Sequence, residues 1–355
     1  MSQIELKNLT KSFEGKPVVK DLNLHVHSGE LVALLGQSGC GKTTTLRMIA
    51  GLLKPDEGDI YFDKQSIDSI DRRESGAVMV FQNHRLFPHM TVFENIAFGL
   101  KVRKKDRALI EEKVSWALEM VKLPGYEKRY PSELSGGQSQ RIALARALVL
   151  KPKVLLLDEP LSNLDAVLRD EMRGLIRNLH RSLNLTIIFV THDQKEAMLM
   201  ADRIAIMRSG VIEQVDTPLQ VYYRPINRWI ASFIGLANLI NGEIRNGYIE
   251  STLGRFPLKE LSDDQWPNKH SSSLQLEILI RPEEVKIKDF VLNEQENGWI
   301  AGKIVDYSFT GESWHYQIKI DQETILVSSS GERKFQPDDK VQIKVITESI
   351  CIYNE

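Results

Sequence analysis

The chain has 355 residues, a formal net charge of -2 and 42% hydrophobic residues. That length supports two or three domains with large cores, and the balanced charge excludes the global basic field of a chain that grips nucleic acid by electrostatics. Two cysteines, Cys40 and Cys351, exclude a disulfide scaffold and fit a reducing compartment.

No apolar run approaches the ~18 residues needed to cross a bilayer. Residues 1–16, MSQIELKNLTKSFEGK, lack the apolar core of a signal peptide. The chain is therefore expected in the cytosol, with any membrane role exerted through partners. Residues 4–9 and 18–27 alternate apolar and polar positions and read as antiparallel strands. Phe13, between Lys11 and Lys16, reads either as a packing aromatic or as a platform for a base. The burial habit of aromatics favours packing.

Residues 31–52, LVALLGQSGCGKTTTLRMIAGL, are the most informative stretch. An apolar run reads as a buried strand. It is followed by Gly36, Gln37, Ser38, Gly39, Cys40, Gly41, Lys42 and Thr43, the pattern G-x-x-x-x-G-K-[ST], and then by an amphipathic helix from Thr43. The glycines let successive N–H groups curl around an anion, and the helix start adds its unsatisfied donors and positive dipole end. Lys42 supplies a full charge for the outer phosphates, and the Thr43 hydroxyl is a ligand for Mg²⁺.

Residues 58–67 suggest a hairpin strand, and residues 77–81 form an apolar run ending at Gln82, a polar residue at the carboxyl end of a buried strand. From residue 84 the pattern turns helical, with Ile110, Val114, Ala117, Leu118 and Val121 at helical spacing, so residues 84–150 are expected to form an inserted helical subdomain. The basic run KVRKKDR at 101–107 is expected to be a solvated face. Leu134, Ser135, Gly136, Gly137 and Gln138 precede a strong helix pattern. Ser135 alone would be an ordinary N-cap, but beside a phosphate loop a second anion-binding helix end is favoured.

Residues 154–157 are an apolar strand ending in Asp158, Glu159 and Pro160. Carboxylates at the end of a buried strand need a use for their charge. Asp158 is placed to hold Mg²⁺ and Glu159 to accept a hydrogen bond from an attacking water. Residues 162–165 open a helix with Leu168, Met172, Leu175, Ile176, Leu179 and Leu183 on its apolar face. A further apolar strand, 187–190, ends in Thr191, His192 and Asp193, where the imidazole can meet a phosphate or orient water. Residues 203–214 read as strand, turn and strand, and 217–235 as helical.

This ordered set of motifs resembles the ATPase subunit of an ATP-binding cassette transporter over residues 4–235, and more narrowly the importers with a C-terminal extension. The resemblance implies a fold: an α/β P-loop domain, with a mixed sheet and inserted helical subdomain, over 1–235. It also implies roles. Phe13 stacks the base, and residues 36–43 with Thr44 hold the phosphates of ATP. Gln82 senses metal and nucleophile, Asp158 serves Mg²⁺, Glu159 serves the water, and His192 is the switch histidine. Ser135, Gly136, Gly137 and Gln138 meet the γ-phosphate held by a second copy, and Asp165 links the two sites. Ser139 departs from the family, which often repeats Gln there. Two copies would pair head to tail around two ATP molecules and drive two transmembrane permease subunits from the cytoplasmic face of the inner membrane. A solute-binding protein would act indirectly, and no nucleic acid is expected. The rival is a soluble cassette ATPase acting on nucleic acid or ribosomes, but the chain has neither a second phosphate loop nor heptads for a coiled coil.

From 236 the composition shifts. Asn-Gly pairs at 241–242, 246–247 and 297–298 predict hairpin turns, and residues 274–280, 316–320 and 341–345 alternate. Residues 236–355 are expected to form an all-β, OB-like barrel, similar to the oligomer-binding (TOBE) extension of importer ATPases, including ILIRPEEVKI. Trp299, Tyr307, Phe309, Trp314 and Tyr316 are expected in core and dimer packing rather than base stacking, as no basic stripe accompanies them. For cargo, IESTLGRFPL at 249–258 resembles the ferric-iron branch, which places iron first, ahead of polyamine, sulfate or sugar.

Overall fold

A computed structural model describes residues 2–69, 76–83, 86–162, 164–258, 261, 275–291, 298–331, 334–346 and 350–354. Contacts divide the chain into two compact units, Met1–Pro218 and Leu219–Glu355.

The first unit opens with the hairpin β1 (Ile4–Phe13) and β2 (Lys16–Val26), followed by β3 (Leu31–Gly36), α1 (Lys42–Ile49), β4 (Glu57–Phe62) and β5 (Gln65–Ser66). Next come β6 (Ala77–Val80), α2 (Val92–Val102), α3 (Arg107–Met120), α4 (Gly136–Leu148), β7 (Val154–Asp158) and α5 (Ala166–Leu183). The unit closes with β8 (Thr186–Thr191), α6 (Gln194–Met200), β9 (Arg203–Arg208) and β10 (Val211–Asp216). An antiparallel sheet runs β2-β1-β4-β5, and the central sheet runs β10-β9-β3-β8-β7-β6. All central pairings are parallel except β10 with β9. Every residue of β3, β7 and β8 is buried, which explains why these strands read as unbroken apolar runs rather than alternating ones. Parallel register brings the carboxyl ends of β3, β6, β7 and β8 to one edge, with Leu35 opposite Thr191 and Asp158 opposite Val190.

Three helices, α2 to α4, intervene between β6 and β7. Each start is capped: Thr91 and Glu94 form a capping box, Asp106 caps α3, and Ser135 and Gln138 form a second box. The expected face of α3 is buried through Ile110, Val114, Ala117 and Leu118, while residues 101–107 are exposed.

The second unit takes in α7 (Pro218–Tyr223) from Leu219 on and α8 (Arg228–Phe233), so by contacts these helical residues group with the strands that follow. The reason is tertiary. Arg281, 1% exposed, donates to the carbonyls of Tyr222, Ala231 and Leu236, and Tyr353 Oη donates to Pro225 O at 2.8 Å. Among the described residues ten strands follow: β11 (Asn238–Arg245), β12 (Tyr248–Ser251), β13 (Gly254–Pro257), β14 (Gln275–Ile280), β15 (Val285–Asp289), β16 (Ile300–Phe309), β17 (Trp314–Ile320), β18 (Glu323–Ser329), β19 (Lys340–Val345) and β20 (Cys351–Asn354). They form two five-stranded sheets, β13-β12-β11-β14-β20 and β15-β19-β16-β17-β18, around one apolar core.

Of the three Asn-Gly pairs, Asn246-Gly247 makes the turn between β11 and β12, both residues at positive φ as a tight hairpin requires. Asn241-Gly242 is not a turn. It lies inside β11, where a Cβ on Gly242 would stand 2.8 Å from Ile249 Cγ2 and 3.0 Å from Ile278 Cδ1, so glycine there admits packing from two neighbouring strands. Asn297 lies outside the described residues, as does Leu274 at the start of the expected 274–280 strand. Among the barrel aromatics, Tyr316 is in the core, Trp314 packs against it, and Phe309 is exposed.

Candidate active site

The phosphate loop joins the carboxyl end of β3 to α1. Gly36 abuts β9: a Cβ there would stand 2.3 Å from the Met207 carbonyl oxygen. Gly41 caps α1 at φ 107°, with Val18 O 2.7 Å from where its Cβ would be, so β2 runs against the loop. Both positions exclude any larger residue on steric grounds. Lys42 begins the helix one residue before the expected start and is 6% exposed. Its ammonium donates to Gly36 O at 2.8 Å and Gln37 O at 2.9 Å, and among the described residues it has no carboxylate within 4.0 Å. Gln37, Ser38 and Gly39 are exposed at the loop tip, Cys40 is buried, and Thr43 and Thr44 are half-buried.

The end of β7 meets this loop directly. Thr43 Oγ1 donates to Asp158 Oδ1 at 2.9 Å. Asp158 is 6% exposed, and burial pushes its carboxyl above the usual carboxylate range against the opposing effect of the Thr43 bond. A carboxyl whose native pKa lies above its unfolded value costs stability at neutral pH. That cost shrinks as pH falls through the native value and vanishes below the unfolded one. Asp158→Asn retains an acceptor for Thr43. It is expected to raise the melting temperature of the ligand-free protein at pH 7.5 and to lose that advantage as the pH falls below the usual carboxylate range. A variant less stable than the parent at pH 7.5 would contradict this account.

Glu159 adopts φ 45°, a left-handed conformation that few residues other than glycine, Asn or Asp occupy, and its N–H donates to Val190 O at 3.2 Å on the neighbouring strand. The turn aims its carboxylate between two other strand ends. Gln82 Nε2, just past β6, donates to Glu159 Oε2 at 2.9 Å, and His192 Nδ1, just past β8, lies 3.2 Å from Glu159 Oε1. Ser162 Oγ donates back to the Glu159 carbonyl at 3.1 Å and stands 3.4 Å from Gln82 Nε2. Three strand ends thus converge on one carboxylate that remains 21% exposed.

Two groups near His192 went unread in the sequence. Thr191 Oγ1 donates to Glu196 Oε2 at 2.6 Å and accepts from Asp193 N at 3.0 Å, so the residues flanking His192 are both tied down. Glu196 is 4% exposed, and burial pushes its carboxyl up. Asp193 capping α6, with Glu196 three residues on, is the signal that would have revealed them.

The remaining expected residues stand apart from this cluster. Ser135 and Gln138 exchange the two bonds of their capping box, at 3.1 and 3.3 Å, and Gly136 has open space where a side chain would be. Asp165 caps α5 by accepting from Leu168 N at 2.9 Å. Among the described residues, no hydrogen bond joins either group to the phosphate loop. Phe13, the last residue of β1, is 46% exposed, which removes the core-packing reading; Lys11 Nζ lies 5.7 Å from its ring centroid.

Residues 19–162 match the family described as ABC transporter, and residues 278–351 match the TOBE domain. Similar proteins include the "Spermidine/putrescine import ATP-binding protein PotA" of Clostridium acetobutylicum, 40% identical over 98% of this chain and 96% of that protein. The proteins of the same name from Acetivibrio thermocellus and Vibrio cholerae are 42% and 41% identical, over 96% and 94% of this chain and 94% and 88% of theirs. Among solved structures, the dimeric post-hydrolysis state of the ATP-binding cassette MJ0796 bound to ADP and Pi is similar at TM-score 0.55 and 31% identity, over 61% of this chain and 98% of that one. CbiO1 of Clostridium perfringens, part of the ABC transporter complex cbiONQ, is similar at TM-score 0.58 and 31% identity, over 61% of this chain and 89% of that one.

Proposed function

The chain belongs to the ATP-binding cassette transporter family as an importer ATPase subunit with a C-terminal TOBE domain, and from that premise we propose that it powers uptake of a polyamine. The cargo follows the relatives, whose match runs through both units and whose printed names specify spermidine and putrescine. Iron as the first choice is withdrawn. The stretch behind it, 249–258, buries Ile249, Leu253 and Phe256 in the barrel core, so its pattern records packing rather than cargo.

One observation carries the hydrolytic reading: a half-buried carboxylate held by Gln82 and His192 beside a phosphate loop. In this reading the loop N–H groups and Lys42 bind the β- and γ-phosphates of ATP. Glu159 accepts a hydrogen bond from the attacking water, Gln82 holds that carboxylate in place, and His192 meets the γ-phosphate. Phe13 offers its exposed face to the base. Phosphoryl transfer to water needs mainly alignment and charge neutralisation, and these groups supply both.

Thr43 and Asp158 fit Mg²⁺: a hydroxyl and a buried carboxylate, both hard oxygen donors, already meet at 2.9 Å. The ion would supply positive charge against the phosphate oxygens, and Gln82 would reach it through its amide oxygen.

Ser135, Gly136, Gly137 and Gln138 make a capped helix start with open space at Gly136, which suits an anion presented by a second copy. The reading therefore includes a head-to-tail pair, with Asp165 at the junction. Among the described residues no helix is long and apolar enough to cross a membrane. Two permease subunits would supply the channel and a solute-binding protein the cargo, with this chain peripheral on the cytoplasmic face.

Deleting the gene is expected to abolish uptake of radiolabelled spermidine or putrescine while leaving ferric-iron uptake intact. Lost iron, sulfate or sugar uptake with normal polyamine uptake would replace the cargo. Co-purification with ribosomes or DNA in place of permeases would favour the soluble rival.

A further inference from the structure

The tip of β1 is held unusually. Its ladder to β2 shifts register between Leu9 and Lys11 and again between Lys11 and Ser12 before Phe13 pairs with Lys16, so pairing on the approach to Phe13 is irregular. Asp56 adds a second tie there. Asp56 Oδ2 accepts from Ser12 N at 2.7 Å, Asp56 Oδ1 accepts from Lys11 Nζ at 2.6 Å, and Asp56 N donates to Thr10 O at 2.9 Å. The two bonds to the carboxylate are charge-assisted and of normal strong geometry, and the third is an ordinary backbone bond. The Lys11 side chain is only 15% exposed, and its ammonium sits over the Phe13 ring. One face of the ring is thereby occupied by a cation, while the ring as a whole remains half open to solvent.

Asp56 is placed by the other half of the nucleotide site. It lies in the short connection from α1, the helix that the phosphate loop caps, to β4. Gly58, at φ 83° near the start of β4, lets the chain just after Asp56 press on β1: a Cβ there would stand 2.3 Å from both Lys7 O and Asn8 O. Covalent continuity from loop to Asp56, and hydrogen bonds from Asp56 to the residues before Phe13, connect the phosphate cradle to the base platform.

We propose that Asp56 is a positioning residue for nucleotide binding, fixing the distance and tilt of the Phe13 ring relative to the phosphate loop and, through Lys11, leaving one ring face for a purine. This inference rests on the reading of Phe13 as the base platform. A stacked base gains from a ring already in place and loses when the ring must be ordered on binding. Nothing in the interaction of the phosphates with the loop depends on it.

Titration calorimetry with ATP and with inorganic tripolyphosphate, on the full chain, tests this. Asp56→Ala is expected to weaken ATP binding about 5–10-fold, the 1–1.4 kcal/mol range that one pre-ordered aromatic contact commands, and to leave tripolyphosphate binding unchanged. Asp56→Asn, which keeps an acceptor for Ser12 N, is expected to recover part of the loss. In the double variant with Phe13→Ala, Asp56→Ala should add nothing. Equal weakening of ATP and tripolyphosphate would make Asp56 a general scaffold residue and overturn the proposal. An unchanged ATP-to-tripolyphosphate ratio in Asp56→Ala, with a lowered ratio in Phe13→Ala, would overturn the role of Asp56 and leave the platform standing. An unchanged ratio in Phe13→Ala would remove the platform and the proposal together.

Discussion

Glu159→Gln is expected to lower steady-state ATP turnover at least 10²-fold, and as much as 10⁴-fold, the usual range for losing a positioned base. The substitution is close to isosteric. The amide oxygen still accepts from Gln82 Nε2, now 2.9 Å from Oε2, so the three strand ends stay joined. Charge and basicity disappear at the carboxylate proposed to activate the water. The phosphate loop and the Thr43–Asp158 contact are untouched, so ATP affinity should hold. With binding intact and hydrolysis stopped, the ATP-bound pair should accumulate. Size-exclusion chromatography in ATP and Mg²⁺ should show a dimer that the parent forms only transiently. Near-normal turnover would remove Glu159 from the water-activating role, and a variant that stays monomeric in ATP would remove the sandwiched-nucleotide reading.

Much of this site was legible because its chemistry is local. The phosphate loop occupies contiguous residues between a buried strand and a helix, and β6, β7 and β8 each announce their polar ends by a break in an apolar run. Parallel pairing then does the assembly, since strands in register deliver Gln82, Asp158, Glu159 and His192 to one edge. What was not legible depends on partners distant in sequence. Asp56 sits 44 residues from Ser12, and no periodicity marks a carboxylate chosen to catch a backbone N–H. Thr191 and Glu196 are the exception, five residues apart and marked by the Asp193 cap three residues before Glu196. Gly242 was misread because the hairpin signal of Asn-Gly is a statement about turns, whereas here the missing side chain serves the packing of Ile249 and Ile278. Phe13 is exposed where burial habit favoured packing, because that habit is an average over many sites and does not decide a single one.

Among the described residues Arg281 makes the largest set of polar contacts between the helical segment and the barrel, and its removal is the second large effect expected. Arg281 is 1% exposed, and burial pulls its guanidinium below the usual arginine range. It is kept charged and buried by four hydrogen bonds to carbonyls: Nε and Nη2 to Tyr222 O at 3.1 and 2.7 Å, and Nη1 to Ala231 O and Leu236 O at 3.1 and 2.9 Å. The guanidinium carbon also lies 4.2 Å from the Tyr222 ring centroid. These acceptors span α7, α8 and the entry to β11, so one planar fork closes the helical segment onto the barrel. Arg281→Met fills much of the volume but strands three carbonyls. Removing the buried charge itself returns some free energy, yet losing one partner of a buried charged network costs about 3–5 kcal/mol. Arg281→Lys should recover little, because one ammonium cannot reproduce the fork geometry. Since about 1.4 kcal/mol is a factor of ten, amides of residues 230–234 should exchange with deuterium at least 10²-fold faster in Arg281→Met. The phosphate-loop helix α1, in the other unit, should keep its exchange rate. Unchanged protection of residues 230–234 would mean that the apolar contacts of Ala231 with Leu279, Cys351 and Tyr353 hold the segment without Arg281, and the hub would be reduced to a bystander.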